Sequence, residues 1–188
     1  MKEIRTKFEL HPLLKKRWSP RSFSKKLIAN ELIEELFEAA SVAASANNEQ
    51  PWKYVHAVRE SEGFETLWNC LLPGNQPWTK HAAVLIVALQ RNTFRGKEKP
   101  NPWAMHDVGM ANANLLLQAA HRDIYGHLMA GFDPEKIRQS LNLPDDETPV
   151  CMGALGYLDT AEKLDEPYRS RETADRTRNA VDSFVVRL

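Results

Sequence analysis

The chain has 188 residues, 43% hydrophobic and 27% charged, which is the make-up of an ordinary globular protein and excludes wholesale disorder. Lys+Arg and Asp+Glu number 25 each, so the formal net charge is zero and no global field favours nucleic acid or an anionic membrane. The length suits one domain of the common size of about 100–200 residues, and a neutral surface leaves self-association unopposed.

The zero sum is unevenly distributed. Residues 1–26 carry nine Lys/Arg against two Glu, and residues 27–71 carry two basic residues against eight acidic ones. Residues 72–140 carry eight basic and five acidic residues, and residues 141–188 six and ten. The basic N-terminal block reads either as a solvated, lysine-decorated helix or as an anion site near Arg17 and Arg21. Cys70 and Cys151 are far apart and form no C-x-x-C pair, so two reduced, buried thiols are expected. The N-terminus has no apolar core of a secretory signal, and the longest apolar run, Ala82–Leu89, is too short to span a bilayer. The expected setting is cytoplasmic, away from membranes.

In chain order, residues 8–16 read as a short helix. Asn30 is a candidate N-cap for a helix to about Ala44, with Leu32, Leu36, Ala39 and Ala43 on one stripe. Residues 52–59 alternate and are rich in aromatic and β-branched types, so they predict a strand. A short helix follows over about 64–71, then an apolar strand over 83–89, expected to be central and covered on both faces. Arg91–Pro102 is polar, with Gly96 and two prolines, and reads as a loop or lid. Residues 103–121 predict a long helix whose second half, from Leu115 to Ala120, should be buried all round. A short strand over 126–130 precedes Asp133-Pro134, an N-cap followed by proline at the first helical position. That helix runs to about Leu141. A strand over 150–157 contains Gly153 and Gly156, which signal close backbone approach. The order predicts one α+β domain over 1–188, with a polar C-terminal arm from about residue 160.

Several chemistries are absent from the pattern. There is no G-x-G-x-x-G after a strand, no Walker A loop, no G-x-S-x-G elbow and no H-E-x-x-H spacing. Arg17, Ser19 and Arg21 alternate along a loop; in extended backbone they would point one way and offer two guanidinium forks and a hydroxyl to a single anion. Arg176 and Arg178 repeat the spacing. For both pairs, solvated surface arginines are the alternative. Ser45-Ala46-Asn47-Asn48-Glu49-Gln50 is either an Asn-rich turn or a row of amide and hydroxyl groups for a polar heterocycle.

These segments resemble the nitroreductase family of FMN-dependent oxidoreductases. R-W-S-P-R-S-F is similar to the family's R-x-S-x-R/K-x-F, and E-A-A-S-V-A-A-S-A-N-N-E-Q-P-W to its helix ending A-P-S-x-x-N-x-Q-P-W. D-V-G-M-A-N-A-N-L-L-L-Q-A-A-H with H-L-M-A-G-F-D resembles the central helix and following strand, and R-T-R-N-A-V-D-S-F-V the closing arm. The resemblance implies an α+β nitroreductase-like fold, a mixed or antiparallel sheet flanked by helices, and an intertwined homodimer. It implies that Arg17, Ser19 and Arg21 hold the FMN phosphate and ribityl chain, with Trp18 lending backbone contact, and that Arg178, with Arg176, reaches the phosphate. Ser45 and Asn48 would touch the same flavin from the other subunit. Asn75 would meet the flavin ring edge, and Met129, Ala130 and Gly131 would place backbone near the isoalloxazine.

Two substitutions depart from the family pattern: Ala44 stands where proline is frequent, and Ala130 where some members have Glu. The implied activity is reduction of bound FMN by NADH or NADPH, then of a nitroaromatic or quinone-type small acceptor by the flavin, with no protein group named as catalytic and no metal. The alternatives are an FMN enzyme with one specialised substrate (dehalogenation or flavin destruction), a non-catalytic flavin-binding protein, and a dimer that binds no flavin.

Overall fold

A computed structural model of the chain describes Lys2, Ile4 and residues 6–188. Glu3 and Arg5 of the basic N-terminal block lie outside the described residues. The fold is α+β. Strands β1 (Trp52–Val58), β2 (Val84–Arg91), β3 (Tyr125–Met129) and β4 (Glu147–Gly156) form one sheet in the order β1-β2-β4-β3, with every pairing antiparallel. Helices α1 (Pro12–Lys16), α2 (Asn30–Ser41), α3 (Glu62–Asn69), α4 (Gln76–Thr79), α5 (Ala104–His121), α6 (Pro134–Ser140) and α7 (Tyr168–Thr173) surround it.

β2 is the central apolar strand that the sequence predicts, and Val84 to Leu89 are all buried. Successive side chains of a strand point to opposite faces. Val84 and Ile86 pack with Ile33, Leu36, Ala111, Leu115 and Ala119 of α2 and α5. Leu85, Val87 and Leu89 pack with Phe64 and Leu67 of α3, Ile137 of α6 and Met152. Helices thus cover both faces of an antiparallel sheet, which is why the strand lacks polar alternation. In β4, an ideal Cβ on Gly153 would lie 2.8 Å from Ile86 Cγ1 and 2.9 Å from Leu128 Cδ2, and one on Gly156 would lie 2.8 Å from Phe23 Cδ1. The close approach read from these two glycines is present.

α2 begins one residue earlier than the sequence suggests: Ala29 is the N-cap and Asn30 is the first helical residue. It ends at Ser41, so Ala43 and Ala44 lie beyond it. Asp133 caps α6 as expected, its carboxylate accepting from the Glu135 and Lys136 N–H groups at 3.1 Å. The second half of α5 is not buried all round. Leu115, Leu116, Ala119 and Ala120 are buried, whereas Leu117 and Gln118 are half-buried and His121 is exposed. Its small residues let the helix lie close to β2, and its remaining face stays open in the single chain. Cys70 is buried and Cys151 half-buried, both free. No helix among the described residues is long and apolar enough to cross a membrane.

Candidate functional site

The loop after α1 is laid along the β3 edge of the sheet and fastened at both ends. Pro20 is buried, and its carbonyl accepts the His127 Nδ1–H at 3.0 Å. Trp18 meets Tyr125 edge-on, with ring centroids 6.5 Å apart. Burial pushes His127 down to about 4, against a partial upward effect of the Pro20 hydrogen bond, so the imidazole is neutral where it holds the loop. Glu172 of α7, only 6% exposed, accepts the backbone N–H of Arg21 at 2.8 Å and of Ser22 at 3.1 Å. The Ser22 hydroxyl donates to the Thr160 carbonyl at 2.6 Å. Beyond α7 the arm turns back, and Arg176 donates to the carbonyls of Lys2 at 3.2 Å, Lys15 at 2.5 Å and Arg17 at 2.8 Å.

These fastenings arrange the cations as a band rather than a point. Burial, then the Arg178 charge, holds Arg17 below the usual arginine value. Burial, then Arg17 and Arg178, does the same to Arg176. Arg21 is lowered first by burial, with Glu172 opposing, and its guanidinium lies 5.9 Å from the Trp78 ring centroid. Lys2, lowered mainly by burial, feels both Arg21 and Arg176. Arg17 is coupled in charge to Arg176 and Arg178, and Arg21 lines a cleft of about 490 Å³ with Phe23, Lys25, Trp78 and His81. Buried Pro20 between the two arginines and the hooked Ser22 just beyond Arg21 fix the backbone, leaving Ser19 exposed. Arg176 commits its fork to three carbonyls, so Arg178 is the arm's arginine beside Arg17.

The wall continues past the end of β3. Asn75 sits immediately before α4, and its Nδ2 donates to the Gly131 carbonyl at 2.9 Å. That carbonyl also accepts the Leu72 N–H at 3.1 Å. A Cβ on Gly131 would lie 2.5 Å from Asn75 Nδ2, so the glycine makes room for the amide. Asn75 keeps its Oδ1 and a second N–H for another partner. Trp78 of α4 is buried and packs against His127 at 4.7 Å and Phe23 at 6.3 Å. Met129 is buried, Ala130 exposed and Gly131 half-buried. Arg17, Trp18, Ser19, Arg21, Arg176, Arg178, Asn75 and residues 129–131 thus share the β3 side.

Ser45 and Asn48 do not join them. They precede β1, at the opposite edge of the sheet. The registers Trp52 to Gln90 and Gln90 to Thr148 put the start of β1 at the same end of the sheet as the close of β3. Three strand spacings, about 14 Å, separate the two edges. The loop is built by left-handed backbone at Asn47, Asn48 and Gln50, with φ of 53°, 55° and 47°, a region that asparagine tolerates well. Ser45 Oγ accepts the Gln50 N–H at 3.1 Å, and Asn48 Oδ1 accepts Gln50 Nε2 at 3.0 Å. Glu49 pairs with Arg91 Nη2 at 3.1 Å and accepts the Arg95 N–H at 2.7 Å. Asp107 of α5, 2% exposed, accepts the Ala46 N–H at 3.0 Å. Glu172, His127 and Asp107 are the organising groups to which sequence reading gives no role in the site. Only Asp107 leaves a trace, as an acidic residue in the first turn of a helix otherwise rich in apolar residues.

The family description that matches the chain is "Nitroreductase family", over residues 14–74 and 69–157. A crystal structure described as an oxidoreductase containing FMN is 31% identical, with a TM-score of 0.87, covering 92% of this chain and 89% of its own. An NADH dehydrogenase of Thermus thermophilus is 29% identical over 172 residues, 76% of this chain and 83% of that protein. An iodotyrosine deiodinase of Haliscomenobacter hydrossis is 26% identical over 176 residues, 79% of each chain. The chain, with this fold, belongs to the nitroreductase family.

Proposed function

We propose that the protein is an FMN-dependent oxidoreductase that works as a homodimer, the chain forming one flavin-binding domain with an arm from about residue 160. The observation that carries this reading is the cluster of partly buried Arg17 and Arg176 with Arg178 beside them, all mutually repelling. Gathering like charges at a partly buried place is unfavourable unless an anion joins them, and a guanidinium fork matches phosphate oxygens bidentately. The residues fit the group. Arg17 and Arg178 would hold the phosphate, Ser19 and Arg21 the ribityl side, and Arg176 would shape the loop by gripping its carbonyls. The free Oδ1 of Asn75 would meet the polar ring edge, and the backbone of Met129, Ala130 and Gly131 would flank the ring.

Ser45 and Asn48 would complete the site from a second copy, since in one chain they stand at the far edge of the sheet. The apolar surface left exposed supports that copy: Trp103, Met105 and Met110 around α5, and Val181, Phe184, Val185 and Val186 in the arm. When bound, FMN supplies reversible two-electron chemistry, here between NADH or NADPH and a nitroaromatic or quinone-type acceptor. The similarity to an iodotyrosine deiodinase favours a second reading, reductive dehalogenation at the same site.

The test is direct. Purified protein incubated with FMN and passed through gel filtration should be yellow, and NADH or NADPH should bleach it without oxygen. A colourless protein would overturn the flavin reading. A yellow protein that neither donor bleaches would make it a flavin-binding protein. Quinone, nitroaromatic and halogenated acceptors then separate the two enzyme readings.

A further inference from the structure

We infer that His106 delivers the proton that completes reduction of a quinone-type acceptor, with Asp107 as its positioning residue; this rests on the flavin reading above. Adjacent positions on a helix do not face each other. Yet His106 Nδ1 lies 3.0 Å from Asp107 Oδ1 in the first turn of α5. The carboxylate is fixed from behind: it is 2% exposed and its Oδ2 accepts the Ala46 N–H at 3.0 Å. A carboxylate oxygen accepts, so Nδ1 carries the hydrogen and Nε2 is the ring's working nitrogen. The His106 side chain is 67% exposed, so it can exchange protons with water.

The dyad borders a concavity of about 210 Å³ formed by Ala44, Ser45, Ala46, Trp103, His106, Asp107 and Met110. Trp103 and Met110 are 57% and 42% exposed and give it apolar walls suited to a flat ring. Ser45, on the same concavity, is the residue assigned to the flavin of the partner half-site. A second copy docked as proposed above would set His106 beside the place where the acceptor is reduced.

The step balances. A benzoquinone that takes a hydride, two electrons and one proton, from FMN reduced by NAD(P)H would become the hydroquinone monoanion. Nε2 of the neutral His106 ring would take a proton from water, leaving hydroxide, and the new hydroquinone O–H bond would form as that Nε2–H bond breaks. The products would be hydroquinone and oxidised FMN, with the ring back in its Nδ1–H form.

The experiment compares wild type with His106→Gln, which leaves Asp107 and its bond to the loop in place. FMN retention and anaerobic bleaching by NADH should match wild type. Reoxidation by benzoquinone should slow about 100-fold, the low end for a positioned general acid. Reoxidation by ferricyanide, which takes an electron and no proton, should not change; a merely structural role would slow both oxidants alike. Independently of turnover, nitrogen-15 spectra of the flavin-free protein should show His106 as the Nδ1–H tautomer, relaxing toward a mixture in Asp107→Asn. Wild-type quinone rates in His106→Gln, equal slowing with both oxidants, or an already mixed tautomer would overturn the inference and leave the flavin reading standing. Failure of wild type to retain FMN would remove both.

Discussion

Arg176 and Arg178 stand two residues apart and carry the same charge, but the structure gives them different work, and substituting each with alanine separates the two roles. Arg176→Ala removes hydrogen bonds to the carbonyls of Lys2, Lys15 and Arg17. A hydrogen bond from a charged donor contributes roughly 1.5–3 kcal/mol when enclosed. Arg176 is only half-buried and the freed carbonyls can rehydrate, so about 1 kcal/mol each, or about 3 kcal/mol together, is the reasonable magnitude. For a chain of this size that corresponds to a fall of about 6–12 °C in Tm. Arg178 is exposed, and among the described residues its Nη1 reaches only the carbonyl of neighbouring Thr177, at 2.6 Å. Arg178→Ala should leave the stability of the flavin-free protein within about 0.5 kcal/mol. It should weaken FMN binding by about 10- to 100-fold, the loss of a charge-assisted contact of about 1.4–3 kcal/mol. Scanning fluorimetry of the flavin-free variants and FMN titration followed by flavin fluorescence read the two effects. An unchanged Tm in Arg176→Ala, together with a large fall in Arg178→Ala, would refute the division of labour.

Gly131→Ala puts a methyl 2.5 Å from Asn75 Nδ2 but only against the end of a side chain, so Asn75 should swing away. Tm should change little while FMN retention falls several-fold, as equilibrium dialysis would show. Gly153→Ala meets Ile86 and Leu128 inside the sheet and should destabilise by about 1–3 kcal/mol of overpacking, measured by urea unfolding. His127 is depressed to about 4 by burial, so between its ordinary value and that one the unfolded chain binds a proton that the folded chain does not. Stability should therefore fall as pH drops through this window, by up to about 3 kcal/mol, and His127→Asn should flatten that slope.

The legible parts of the fold are those with local causes. The unbroken apolar run of β2 reports helices on both faces, Asp133-Pro134 reports the start of α6, and Gly153 reports its contact with Ile86. α4 and α7 escape a reading of the sequence, because a four-residue and a six-residue helix carry too little periodicity. The overestimated burial of α5 comes from counting apolar residues without knowing how far the small ones let the sheet approach. At the site, the alternation of Arg17, Ser19 and Arg21 identifies the right loop but not its geometry. What bends it is long-range: Glu172 is about 150 positions away in the sequence, and His127 about 107. No local pattern announces such partners. Nor can spacing show that Ser45 and Asn48 lie at the opposite sheet edge from Arg17, which follows only from the strand order.

That separation is the centre of the functional account, and subunit complementation tests it most directly. Arg17→Ala damages one half-site and a Ser45→Ala/Asn48→Ala double variant damages the other. Each variant alone should retain little FMN. When the two are co-expressed with different affinity tags and the doubly tagged dimer is isolated, one position should combine both intact halves and the other both damaged ones. The account predicts one tightly held FMN per mixed dimer. A mixed dimer that holds no more FMN than its parents would contradict it and place any flavin site within a single chain.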